Sequence, residues 1–212
     1  MKKKSSKDSQ KYTVDDSAFD AVCNILKNKL GILDPKELEA AENDAYITAF
    51  EKAVELFESD QQFTTDDICR LNKLFLGNIY DWAGTFRTVD LISDDIRWCH
   101  AQYIPKEMER IEKILAALTP FHPGLTEAEI IQRLAEIFGE LIVIHPFREG
   151  NGRTAGLLCN LLLLQANYQP LDVASFKTKG FLQIYHAAIR DVWTSADFAK
   201  LKRFFDQLLE KL

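Results

Sequence analysis

The chain has 212 residues, 47% of them hydrophobic and 27% charged, with a formal net charge of −6. This length can bury a sizeable core as one domain, and the acidic surplus argues against a broad nucleic-acid-binding face. The lysines at positions 2–4 precede polar residues, and no stretch is long and apolar enough to span a membrane; neither a secretory leader nor membrane association is expected, and a cytoplasmic location is.

Residues 1–16 are polar and read as a mobile tail, with 17–212 as a single all-α domain carrying one β-hairpin. A short helix is expected near 19–30, broken at Gly31. Asp34-Pro35 with Glu37 is a strong helix start, with Asp as N-cap and Pro at the first helical position, and the helix should run to Phe57. Another follows Thr65 and reaches about Ile79. Residues 88–91 and 96–100 read as two strands around the turn residues Ser93, Asp94 and Asp95. Helices are then expected at about 104–118, 126–144, 152–166, 177–191 and 196–211.

The fifth of these eight helices, at 126–144, is the best specified. Thr126 and Glu129 have capping-box spacing. Ile130, Leu134, Ile137, Phe138, Leu141 and Ile142 recur at the spacing of one buried face. The run 141–144 is apolar all round, which places the helix in the middle of the domain. After a break at Pro146 and Gly150, a second buried pattern runs over 157–164. Cys23, Cys69, Cys99 and Cys159 lack metal-ligand spacing and read as reduced, mostly buried thiols. His100, His122 and His186 read as surface or packing residues.

Between the two buried patterns lies His145-Pro-Phe-Arg-Glu-Gly-Asn-Gly-Arg153. The first amides of a helix lack intrahelical partners and sit at the positive end of its dipole. Gly150 and Gly152 let the chain turn and let an anion approach, so the start of the second helix reads as a phosphate cradle. Arg153 adds a charge with bidentate geometry, Glu149 offers the carboxylate a magnesium ion needs beside phosphates, and His145 can accept a hydroxyl proton near neutral pH. The combination suggests transfer of a phosphorus-containing group to a hydroxyl.

This run resembles the signature of the Fic family of protein adenylyltransferases. Tyr80-Asp-Trp-Ala-Gly84 with Phe86-Arg-Thr-Val89, and Leu26-Lys-Asn-Lys-Leu-Gly-Ile32 with Glu37-Leu-Glu39, resemble further family segments, so the resemblance covers roughly residues 20–195. It implies a Fic fold, in which helices surround a central helix–loop–helix, and transfer of AMP from ATP to a Ser, Thr or Tyr hydroxyl of a target protein. His145 would be the base and Glu149 the Mg2+ ligand. Phe147, Arg148, Gly150, Asn151, Gly152 and Arg153 would form the nucleotide site, with Phe147 anchoring the loop. The hairpin would be a flap docking the target, with Ile92 and Trp98 as contacts.

The chain departs from the pattern in places. Gly156 stands where the family usually has a second arginine, which puts ATP affinity in question; Gly156→Arg should raise affinity or activity. The inhibitory pattern of many relatives, Ser or Thr four residues before Glu and then Gly or Asn, is incomplete at Glu42-Asn43, where Leu38 holds the hydroxyl position. A stand-alone bacterial type restrained by a small antitoxin-like protein is the reading this supports. Gly152 replaces the lysine of Doc relatives, which favours AMP transfer over phosphorylation. Two alternatives stay open: an interaction protein with a nucleotide-shaped pocket and weakened catalysis, and a Fic enzyme using another phosphorus-containing donor.

Overall fold

In a computed structural model, which describes residues 19–20, 25–93, 96–171 and 179–209, those residues form seven α-helices and two short antiparallel hairpins. In chain order they are β1 (Phe19–Asp20), β2 (Ile25–Leu26), α1 (Pro35–Leu56), α2 (Thr65–Leu76), β3 (Ile92–Ser93), β4 (Ile96–Arg97), α3 (Ile104–Leu118), α4 (Glu127–Ile144), α5 (Asn151–Gln165), α6 (Lys179–Ser195) and α7 (Ala199–Asp206). A 3-10 turn, Ala101–Tyr103, leads into α3. The expected all-α fold is the observed one, and a second strand pair, β1–β2, accompanies the single expected hairpin. The expected tail at 1–16 lies outside the described residues.

Helix starts follow their caps. Asp34 accepts from the amides of Lys36 and Glu37, both at 2.9 Å, with Pro35 as the first helical residue of α1. Thr64 with Asp67 and Thr126 with Glu129 form complete capping boxes on α2 and α4, each satisfying two otherwise orphaned donors. α5 has no side-chain cap and starts directly from Gly150. The core closes around α4 and α5. On α4, Ile130, Leu134, Ile137, Phe138, Leu141 and Ile142 are all buried, while α5 is buried on nearly every side by α1, α2 and α4.

Three boundaries differ from expectation. The helix expected near 19–30 is instead the β1–β2 pair, with residues 21–24 outside the described set. Asn28 explains the exit: its side chain accepts from the amide of Ile32 at 3.0 Å and donates to the Ile32 carbonyl at 2.8 Å, and Lys29 N donates to Ile79 O at 2.8 Å. These bonds use groups a helix would need. The flap strands are shorter and shifted: Ile92 pairs with Arg97 and Ser93 with Ile96. Residues 88–91 are held mainly by side chains, since Arg87 takes the Val89 carbonyl and Asp90 takes the Ala101 amide. Finally, the helix expected over 196–211 begins only at Ala199, because Ala196 adopts φ 52° and breaks the path from α6.

Candidate active site

His145 is the C-cap of α4. It takes the left-handed conformation (φ 52°, ψ 59°), and its amide donates to Leu141 O at 2.9 Å. Its Nδ1 lies 3.1 Å from Ile142 O. A carbonyl oxygen only accepts, so this contact puts the proton on Nδ1 and leaves Nε2 as the basic nitrogen. The residue is 9% exposed, and the helix C-terminus favours any positive charge the ring acquires.

The loop after it is closed by Asn151, whose side chain accepts from Phe147 N and donates to Phe147 O, both at 2.8 Å. Phe147 is buried in the core, as expected of an anchor. Gly150 turns the chain into α5 at φ 77°, and a Cβ there would meet Leu76 Cδ1 at 2.8 Å and Phe75 Cε1 at 2.9 Å. Only glycine meets both requirements. Gly152 is different: it lies within α5, and a Cβ there would only reach ordinary contact with Tyr185 Oη at 3.8 Å. The turn therefore belongs to Gly150, while Gly152 keeps the start of α5 open. Arg148 is buried beside them.

Arg153 sits in the first turn of α5 between two carboxylates. Its Nη2 donates to Glu42 Oε2 at 2.5 Å and lies 3.4 Å from Glu149 Oε1. The guanidinium also stacks over Phe75 at 4.7 Å. Burial works against its charge, but Glu149 and Glu42 overcome that and hold its pKa above the ordinary arginine value. Glu42 in turn accepts from Tyr80 Oη at 2.6 Å. Burial and Glu42 push the Tyr80 hydroxyl up, so it stays a donor. Glu149 itself accepts from the Gly150 amide at 2.8 Å.

The flap is joined to this loop by Arg87, which is 4% exposed. Its guanidinium donates to His145 O at 2.7 Å, Val89 O at 2.7 Å, Cys99 O at 2.5 Å and Ile144 O at 3.2 Å, and its amide donates to Pro146 O at 2.9 Å. One side chain thus satisfies the open carbonyls at the end of α4 and both roots of the hairpin. Trp98 is buried and stacks on the His145 ring, with centroids 4.1 Å apart and planes 14° apart. Ile92 is half-buried on β3.

The sequence-predicted residues His145, Phe147, Arg148, Glu149, Gly150, Asn151, Gly152 and Arg153 lie on one loop and helix start, and Trp98 joins them from the flap. Four others were not read as site residues: Glu42, Asn72, Tyr80 and Arg87. Asn72 is buried on the apolar face of α2, donating to Thr154 Oγ1 at 3.0 Å and Glu149 O at 3.3 Å and accepting from Gly84 N at 2.8 Å. A polar residue on that face was the available signal. Glu42 shares the buried face of α1 with Leu38, Ala49 and Ala53, the same kind of signal.

A polyphosphate fits this arrangement on one further observation: Arg153 Nη1 is buried without a hydrogen-bond partner among the described residues, a donor left over at the α5 N-terminus. Among those residues no three His, Cys, Asp or Glu side chains gather to hold a metal. Glu149 alone is the kind of ligand Mg2+ takes when phosphates supply the rest. Nor is any described helix long and apolar enough to cross a membrane.

Residues 62–163 match the model of the Fic/DOC family. The chain is 34% identical over 154 residues to protein adenylyltransferase VbhT of Bartonella schoenbuchensis, covering 72% of this chain and 32% of that protein. It is 33% identical over 180 residues to the probable protein adenylyltransferase y4lH of Sinorhizobium fredii, covering 84% and 88%. The crystal structure of BepC of Bartonella tribocorum, with bound AMPPNP, superposes with a TM-score of 0.75 at 23% identity, over 92% of this chain and 97% of that one. The chain therefore spans about a third of VbhT and most of y4lH.

Proposed function

The chain belongs to the Fic/DOC family, and we propose that it is a protein adenylyltransferase that moves AMP from ATP to a Ser, Thr or Tyr hydroxyl of a target protein. The observation that carries the reading is the pairing of His145 Nδ1 with Ile142 O, which presents Nε2 as the acceptor beside a helix start bearing Arg153. The names of VbhT and y4lH support the same chemistry.

In this reading the target hydroxyl gives its proton to His145 Nε2 as its oxygen bonds to the α-phosphorus. The bond to the β-phosphate oxygen breaks, pyrophosphate leaves, and AMP remains on the target. The amides at the start of α5 and the Arg153 guanidinium hold the outer phosphates. Mg2+ bound through Glu149 supplies neutralisation of phosphate charge. Arg87 keeps the backbone of His145 fixed, so the loop that carries the base does not shift against the cradle. Ile92 on the flap is the proposed target contact, engaged by main-chain pairing along the edge of the flap strand. A small antitoxin-like protein is the proposed restraint, and the site chemistry requires neither nucleic acid nor membrane.

Mass spectrometry tests the reading. Bacterial lysate proteins treated with the chain, ATP and Mg2+ should gain AMP on hydroxyl side chains, and the gain should vanish with His145→Ala. Phosphate instead of AMP on those side chains would replace the proposal with kinase chemistry.

A further inference from the structure

Trp98 is not placed as a simple core residue or as a free docking contact. Its ring lies face to face with His145 at 4.1 Å and 14°, and it is 8% exposed. Its indole Nε1 is buried with no hydrogen-bond partner among the described residues. Buried indoles usually find an acceptor, and leaving one unmade costs on the order of 1–3 kcal/mol.

The backbone on both sides of Trp98 is tied down. Its own amide donates to Leu91 O at 3.1 Å. The carbonyl of Arg97 accepts from Trp193 Nε1 of α6 at 3.1 Å. The carbonyl of Cys99 accepts from Arg87 Nη2, and the Nε of that same guanidinium donates to His145 O at 2.7 Å. A single planar group therefore spaces the two stacked residues from behind. Main-chain bonds cannot fix the His145 side-chain torsions, and the Nδ1 contact to Ile142 O, at 3.1 Å, is at the long end of good geometry. A flat ring packed on one face restricts rotation about the torsion that would carry Nδ1 off that carbonyl.

We propose that Trp98 is a positioning residue for the base: by stacking on the imidazole it holds the Nδ1-protonated tautomer against Ile142 O and keeps Nε2 directed at the incoming hydroxyl. The catalytic part of this rests on the reading of His145 as base. The tautomer part does not. The indole is not consumed and touches no reacting atom, so its loss lowers turnover rather than nucleotide binding.

The test compares wild type, Trp98→Phe and Trp98→Leu by nitrogen NMR of the histidine rings at about pH 8, above the ordinary imidazole pKa of roughly 6.5. The His145 signals are assigned with His145→Ala. The same proteins are assayed for label transfer from α-labelled ATP to lysate proteins. Wild type and the phenylalanine variant should show one Nδ1-protonated tautomer. The leucine variant should show mixed tautomers and a transfer rate constant lower by about 10–100-fold, with KM for ATP changed by no more than about two-fold. Phenylalanine should recover most of the rate. A single tautomer persisting in Trp98→Leu, or a rate within about two-fold of wild type, overturns the proposal. If wild type transfers nothing, the function reading fails while the tautomer comparison still decides the positioning claim. Should Trp98→Leu not fold by circular dichroism, Trp98→Met takes its place.

Discussion

Arg153 is shared between what it would bind and what it binds already. Glu42 holds its Nη2 at 2.5 Å, so a nucleotide phosphate has to compete with a buried carboxylate. Glu42→Gln keeps the shape and removes the charge. ATP should bind several-fold more tightly to this variant by calorimetry, while the melting temperature falls by an amount matching roughly 1–3 kcal/mol, the cost of weakening a buried charge-assisted bond. Unchanged affinity would mean that Glu42 does not compete with phosphate. His145→Ala should leave ATP affinity near wild type and remove the roughly 10²–10⁴-fold that a general base supplies. The motif residues were legible because they are contiguous and chemically specific. Glu42 was not, because it lies 111 residues from Arg153 in sequence and stands beside Leu38, which breaks the familiar inhibitory spacing.

The helix ends, the loop between them and the flap act together as elements. Gly150 lets α5 begin immediately after the loop, at φ 77° and against Leu76 and Phe75. Gly150→Ala should cost about 1–3 kcal/mol through backbone strain and steric contact, read as a lower denaturation midpoint with loss of transfer. Arg87→Met should cost more. It leaves the carbonyls of Ile144, His145, Val89 and Cys99 without this donor, at about 1–3 kcal/mol for each that water cannot reach. Amide exchange at the flap roots should rise with it, and exchange as slow as wild type would deny Arg87 that role. The buried faces of α4 and α5 were readable from periodicity and caps. The flap boundaries were not, because the bonds that hold 88–91 come from Arg87 and Asp90 rather than from a repeating ladder, and short strands carry little pattern of their own.

For the molecule as a whole, α5 lies inside α1, α2 and α4, so the fold's most buried helix also presents the anion cradle. The thiols report on that burial. Burial, with Asp66 adding to it, pushes Cys69 up to about 11, and burial alone pushes Cys159 up. In the native protein at about pH 8 both should react with a thiol reagent far more slowly than after denaturation; fast reaction at Cys159 would contradict the packing of α5. The most direct test of the account uses two ATP samples, one labelled at the α-phosphate and one at the γ-phosphate, each given with Mg2+ and bacterial lysate to the wild-type chain and to His145→Ala. The account predicts protein bands labelled only from the α-position and only with His145 intact. Label from the γ-position, or bands that persist without His145, would contradict it.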